Sequence, residues 1–227
     1  MALVAYKDLC IDAVDAPRLA GFWGSVLHLE VGRQENGDAY LTGPTPQHAI
    51  WLNQVPEAKT VKHRMHLDVR ADTVEEIEVL GATVIDRGSY PWTVMADPEG
   101  GEFCVFTKRG STWLASIVLD CVDHRAIAQW WADVLGATCR TDERGFSSVS
   151  AIPGAPFEDI DFVPVPEPKA IKNRLHIDVT TPDLDALIEA GAMLLRPLEP
   201  PIRWNVMADP EGNEFCAFVR TEPADQT

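Results

Sequence analysis

Two stretches of this chain, far apart in sequence, are nearly identical. The segment from Trp92 to Phe106, WTVMADPEGGEFCVF, returns from Trp204 to Phe218 as WNVMADPEGNEFCAF, identical at 12 of 15 positions. Upstream, VPEAKTVKHRMHLDV from Val55 returns as VPEPKAIKNRLHIDV from Val165. CIDAVDAPRLAGFW from Cys10 is echoed by VLDCVDHRAIAQWW from Val118. The three blocks keep their order at offsets of 108 to 112 residues, so one unit occurs twice and the fold must be a pair of like halves. The divisions are residues 1–108, residues 112–220 and a polar tail, 221–227, expected to fray. The join, Lys108 to Ser111, is too short for the halves to tumble independently.

Each half itself reads as a pattern used twice. Leu3 to Asp12 alternates as a strand, Asp15 supplies an N-cap and Pro17 a first-turn proline. Leu19, Phe22, Trp23, Val26 and Leu27 then fall at helical spacing, giving an amphipathic helix to about Leu29. Short β-rich pieces follow at 30–34, 39–42 and 49–55. After a polar connection, Pro56 to Lys62, the pattern restarts with a strand over 63–70 and a helix capped by Asp72 and ended by Gly81. Strands over 83–87, 92–96 and 102–107 complete it, the last two joined by a type I turn at Asp97-Pro98-Glu99-Gly100. The second half repeats this with helices near 123–135 and 182–190. The chain therefore holds four β-α-β-β-β modules.

Composition narrows the function classes. The net charge of −16, from 19 basic and 35 acidic groups, offers no basic surface to nucleic acid but leaves room for a cationic ligand. No apolar run is long enough to span a membrane, and MALVAYKDLCIDAV is not patterned as a secretory signal. Five cysteines without a CxxC pair suit a reduced, cytoplasmic protein rather than a disulfide framework.

The paired βαβββ modules, the first helix from Asp15 to Leu27, the HLDV and HIDV strands and the DPEG-x-EFC endings resemble the vicinal oxygen chelate superfamily. That group holds glyoxalase I, bleomycin-resistance proteins and extradiol dioxygenases, and the resemblance covers the chain twice. It implies an α+β fold of tandem glyoxalase-like domains. Each would pair two βαβββ modules into a half-open, cup-shaped mixed sheet with helices outside. It also implies a metal inside the cup, held by a set such as His or Gln, Glu, His and Glu. Such donors suit Zn, Ni, Mn, Fe or Co with positions left open for substrate oxygens.

Carried over residue by residue, that ligand set has drifted. The histidine is kept as His66 and His176, but the first-strand position falls on Asp8 and Ser116. The fourth-strand carboxylate falls on Trp51 and Asp161, and the last-strand glutamate on Cys104 and Cys216. Since a strand alternates faces, Glu102 and Glu214 should enter the same cup two residues earlier. A shifted site could then use His66 with Glu102, or His176, Asp161 and Glu214, the last two being the catalytic candidates. Plainer readings stand beside these. The histidines would tether strands, the glutamates would bond backbone or a nearby base, and the cysteines would be small buried residues. Trp51 would place an indole inside a cup, and Trp92 and Trp204 would line a mouth or pack a core.

Two functions follow. One is a binding protein whose aromatic cup holds a small organic molecule without an intact glyoxalase I metal site. The other is a metal-dependent lyase, isomerase or dioxygenase acting on a small oxygen-rich substrate. Which modules share a cup stays open. So does the choice between a monomer built as a pseudo-twofold pair and a homodimer.

Overall fold

The computed structural model describes residues 2–108 and 110–220, so the tail at 221–227 lies outside the described residues. The first module runs β1 (Ala5–Ala13), α1 (Ala16–Leu27), β2 (Glu30–Arg33), β3 (Ala39–Thr42) and β4 (Ile50–Gln54). The second runs β5 (Met65–Arg70), α2 (Val74–Val79), β6 (Thr83–Arg87), β7 (Thr93–Ala96) and β8 (Glu102–Phe106). The third comprises β9 (Leu114–Cys121), α3 (His124–Leu135), β10 (Thr138–Thr141), β11 (Ser147–Ser150) and β12 (Asp159–Pro164). The fourth comprises β13 (Leu175–Thr181), α4 (Leu184–Glu189), β14 (Met193–Arg196), β15 (Asn205–Ala208) and β16 (Glu214–Val219). These are the expected α+β modules, four times over.

Their assembly answers which modules share a sheet. One eight-stranded sheet, A, has the order β14-β15-β16-β13-β1-β4-β3-β2, and the other, B, has β10-β11-β12-β9-β5-β8-β7-β6. Sheet A therefore joins the first and fourth modules and sheet B the second and third. The central seams, β1 against β13 and β5 against β9, are antiparallel and run between the halves. Each seam carries a register shift on the first strand of a half, at Lys7 in β1 and at Ala115 in β9.

The most repeated motif turns out to be a clamp. Asp97 Oδ1 accepts from the backbone N–H groups of Glu99 and Gly101, closing the turn on itself. Glu99 then accepts from the N–H groups of Val14 and Asp15 at 2.9 and 2.7 Å, fixing the start of α1. Glu211 does the same for Val122 and Asp123 at 2.7 Å each, at the start of α3. Helix starts leave N–H groups without intrahelical partners, so a carboxylate is the fitting group there. Trp23 packs edge-on against Phe103 at 5.1 Å, and Trp131 against Phe215 at 5.3 Å, so each half spans both sheets. One connected apolar core results. Phe22, Trp23 and Trp131 belong to it, as their helical spacing predicted, with Trp130 packed against it.

The repeated connectors are ties as well. Lys59 bonds Glu102 at 2.7 Å and Lys169 bonds Glu214 at 2.6 Å, each within its own half. Lys62 reaches Asp120 at 2.5 Å, and Lys172 reaches Asp12, each in the opposite half. Two details differ from the sequence reading. Helix α2 is capped by Thr73 in a capping box with Glu76, not by Asp72, because the threonine hydroxyl reaches the N–H of Glu76. The four histidines without a counterpart in the other half read from the sequence as surface residues, yet only His28 is exposed, and His48, His63 and His124 are half-buried. Among the described residues no helix is long and apolar enough to cross a membrane.

Candidate functional site

Alternation along the seam strands carries polar groups onto the face away from the apolar core. In β13 these are His176 and Asp178, and in β1 they are Asp8 and Cys10, with Cys10 opposite His176 and Asp8 opposite Asp178. In the neighbouring strands Trp51 lies beside Cys10 and Cys216 beside Asp178. The result is a hollow of about 660 Å³ lined by Trp51, Trp204, Phe218, His176, Asp178 and Cys10. A larger cavity of about 820 Å³ lies between the two connectors. There Lys62 and Lys172 are already paired with Asp120 and Asp12, so the chemistry concentrates in the hollow.

The polar floor of hollow A is tightly built. Cys10 Sγ, a His176 ring nitrogen and an Asp178 oxygen all lie within 4.8 Å of one another. His176 Nε2 stands 3.3 Å from Asp178 Oδ1 and 3.3 Å from Cys216 Sγ. Asp8 Oδ2 accepts from Lys7 Nζ at 2.5 Å and from Trp51 Nε1 at 3.1 Å. Burial, followed by the neighbouring Asp178 carboxylate, pushes the Asp8 carboxyl up to about 6 against the opposing pull of Lys7 and Trp51. Burial likewise raises the thiols of Cys10 and Cys216, which therefore carry their protons at neutral pH. Asp8 Oδ1, Asp178 Oδ1 and His176 Nδ1 are buried without a hydrogen-bond partner in the protein.

The matching face of sheet B carries the same idea with three exchanges, one of them Val118 opposite His66 where sheet A has Cys10 opposite His176. His66 Nε2 lies 3.3 Å from Asp68 Oδ1 and 3.6 Å from Cys104 Sγ. Ser116 now occupies the place of Asp8 and donates to Asp68 at 3.5 Å, while Asp161 occupies the place of Trp51 and accepts from Ser148. The carboxyl of Asp161 is pushed up to about 6 by burial and by Asp159 and Asp68. Trp92 stacks on Tyr90 at 5.1 Å and tilts against Phe106 at 5.4 Å.

The anticipated residues divide between the two sheets. Trp51, Trp204, His176 and Cys216 meet in hollow A, and Lys7 covers Asp8 there. His66, Cys104, Ser116 and Asp161 belong to sheet B. The grouping of His176, Asp161 and Glu214 is divided, because Asp161 sits in β12 of sheet B and the other two in sheet A. Glu214 borders hollow A, yet its oxygens take Lys169 and the N–H of Asn173, and Glu102 likewise takes Lys59 and the N–H of His63. His66 therefore partners Asp68 rather than Glu102. Sequence reading missed Asp68 and Asp178, although HLDV and HIDV place an acid two residues past each histidine, on the same strand face. It also missed the roles of Cys10 and Lys7.

A metal can be tested against these donors. Thiol, imidazole and carboxylate with unpartnered buried atoms suit an ion that accepts sulfur, zinc foremost. Binding would have to displace the thiol proton. The oxygen-rich set of glyoxalase I is a poorer fit, since the last-strand position holds a cysteine on both sheets.

Comparison with known proteins agrees with the architecture. Glyoxalase I from Zea mays shares 14% identity at a TM-score of 0.73, over 95% of this chain and 92% of that one. A putative dioxygenase from Bacillus subtilis shares 12% identity at a TM-score of 0.63, over 97% and 86% of the two chains. At these identities the likeness concerns the fold alone. Comparison with curated protein sequences gives no match. The glyoxalase-like domain family matches twice, over residues 8–106 and 116–218, and the chain belongs to that family.

Proposed function

We propose that the protein binds a small organic molecule in hollow A, without a glyoxalase I type metal centre. The observation that carries this reading is the aromatic lining itself. Trp51 stands where the family resemblance calls for a ligand carboxylate, and with Trp204 and Phe218 it walls a cavity of about 660 Å³. That size suits a drug-sized ligand, and an apolar wall with a few convergent polar groups is the usual character of such a site. The protein acts on this reading as a cytoplasmic monomer, its halves 1–108 and 112–220 supplying both partners of a pseudo-twofold pair.

The test is a titration of tryptophan fluorescence with a panel of aromatic compounds. Saturable quenching that disappears in Trp51→Ala supports the reading, and a panel without any saturable response refutes it. One specific observation favours a second function, a metal-dependent lyase, isomerase or dioxygenase: the convergence of Cys10, His176 and Asp178. These three residues would hold a divalent ion, which would supply Lewis-acid polarisation of a substrate oxygen. Asp8, poised near 6, would accept or return a proton beside it. Stoichiometric zinc in the purified protein, lost in His176→Ala, would support this alternative. Neither reading predicts turnover of the methylglyoxal–glutathione adduct, even with added nickel or zinc.

A further inference from the structure

The register shift at Lys7 has a chemical result. In a regular strand Lys7 and Asp8 would point to opposite faces, with Lys7 driven into the core. The bulge re-aims the lysine so that it faces hollow A beside Asp8. Its ammonium sits 4.2 Å from the centre of the Phe218 ring, over its face, and 2.5 Å from Asp8 Oδ2. A carboxylate below and an aromatic face alongside form the environment that organic cations seek. The bulge recurs in the other half, but the residue there is Ala115, so the equivalent place on sheet B carries a methyl group instead of an ammonium.

Further donors would find acceptors here. Asp8 and Asp178 are 4% and 3% exposed, and each keeps one oxygen without a hydrogen-bond partner. Lys7 sends its bond to Asp8 alone, whereas an ammonium has three N–H groups. Of the other bases on this cavity, Lys172 is paired with Asp12 and Arg196 is exposed. Resting on the binding reading above, we propose that hollow A takes organic ammonium compounds with an apolar body. Lys7 is then an internal occupant of the ammonium position, displaced when the ligand enters. The bound cation lies between Asp8 and Asp178 against Phe218, and its body packs on Trp51 and Trp204.

The experiment compares 2-phenylethylamine with 2-phenylethanol, which match in shape and differ in charge, by calorimetry at pH 8. The proteins are the wild type, Lys7→Met, which keeps an apolar stem without the charge, and Asp8→Asn. Near-UV circular dichroism confirms that each variant is folded. The amine is expected to bind at least about tenfold more tightly than the alcohol, as a cation gains from carboxylate and ring together. Lys7→Met should tighten amine binding about tenfold, because it frees a position that Lys7 otherwise fills most of the time. Asp8→Asn should abolish the preference for the amine. Equal binding of amine and alcohol, lost in Trp51→Ala, would overturn the cation assignment and leave the binding reading standing. Unchanged amine affinity in Lys7→Met would overturn the role of Lys7. Binding of neither compound, nor of any in the aromatic panel, would remove both readings.

Discussion

Asp161→Asn should make the protein more stable at neutral pH and leave it unchanged in acid. The wild-type carboxyl titrates near 6, pushed up by burial and by Asp159 and Asp68. In the unfolded chain it titrates near its ordinary value of about 4. Below pH 4 both states hold the proton, and the group is neutral towards folding. Between about 4 and 6 the unfolded chain ionises first, so stability falls as pH rises, and above 6 the loss is complete. A rise of about two pH units corresponds to about 3 kcal/mol, which partial solvent access reduces to between about 1 and 2. Asparagine keeps an oxygen for the Ser148 hydroxyl and carries no charge, so it should recover that amount. Urea unfolding at pH 4, 5, 6 and 7.5, followed by circular dichroism, reads the difference directly. A gap between variant and wild type that is equal at pH 4 and pH 7.5, or a less stable variant at pH 7.5, would refute the reasoning.

Other expectations test the scaffold. Expressed alone, residues 1–108 lose the β13 and β9 partners of β1 and β5, so size-exclusion chromatography should show a dimer that rebuilds both seams with a second copy. A folded monomer would contradict the topology. Trp131 donates to Asp209 at 3.2 Å, while the equivalent Trp23 nitrogen is buried without a partner. Trp131→Phe should therefore cost about 1–2 kcal/mol more than Trp23→Phe in urea unfolding. Gly136 closes α3 at φ +65°, and a Cβ there would meet Ala2 at 2.9 Å. Gly136→Ala should cost about 1–2 kcal/mol, seen as a lowered Tm.

The parts of the sequence that repeat best are the parts that build. DPEG and the PEAKTVK connector recur because each bonds backbone or an opposite charge in both halves, and such geometry tolerates little change. The modules and the core tryptophans were therefore readable from spacing, whereas Trp51 was singled out by the ligand position that the family resemblance implies. Partner choice was not. Strands β1, β5, β9 and β13 show similar alternation, and nothing in that pattern says whether β1 lies beside β5 or β13. The proposed grouping of His176 with Asp161 failed to assemble for that reason. Lys7 was hidden by its bulge, since strict alternation sends it inward. Asp68 and Asp178 each lie two residues past a repeated histidine, hence on the same strand face, but the ligand pattern of the resemblance has no place for them.

The exchange of modules between halves has a consequence for inheritance. A single copy assembling with its twin would make two identical chambers, and every substitution would appear in both. With the two copies on one chain, a tryptophan can stand on one sheet at residue 51 while an acid holds the matching place, residue 161, on the other. Fusion thus turns an enforced symmetry into two addresses that selection can edit separately, while each half still supplies walls to both.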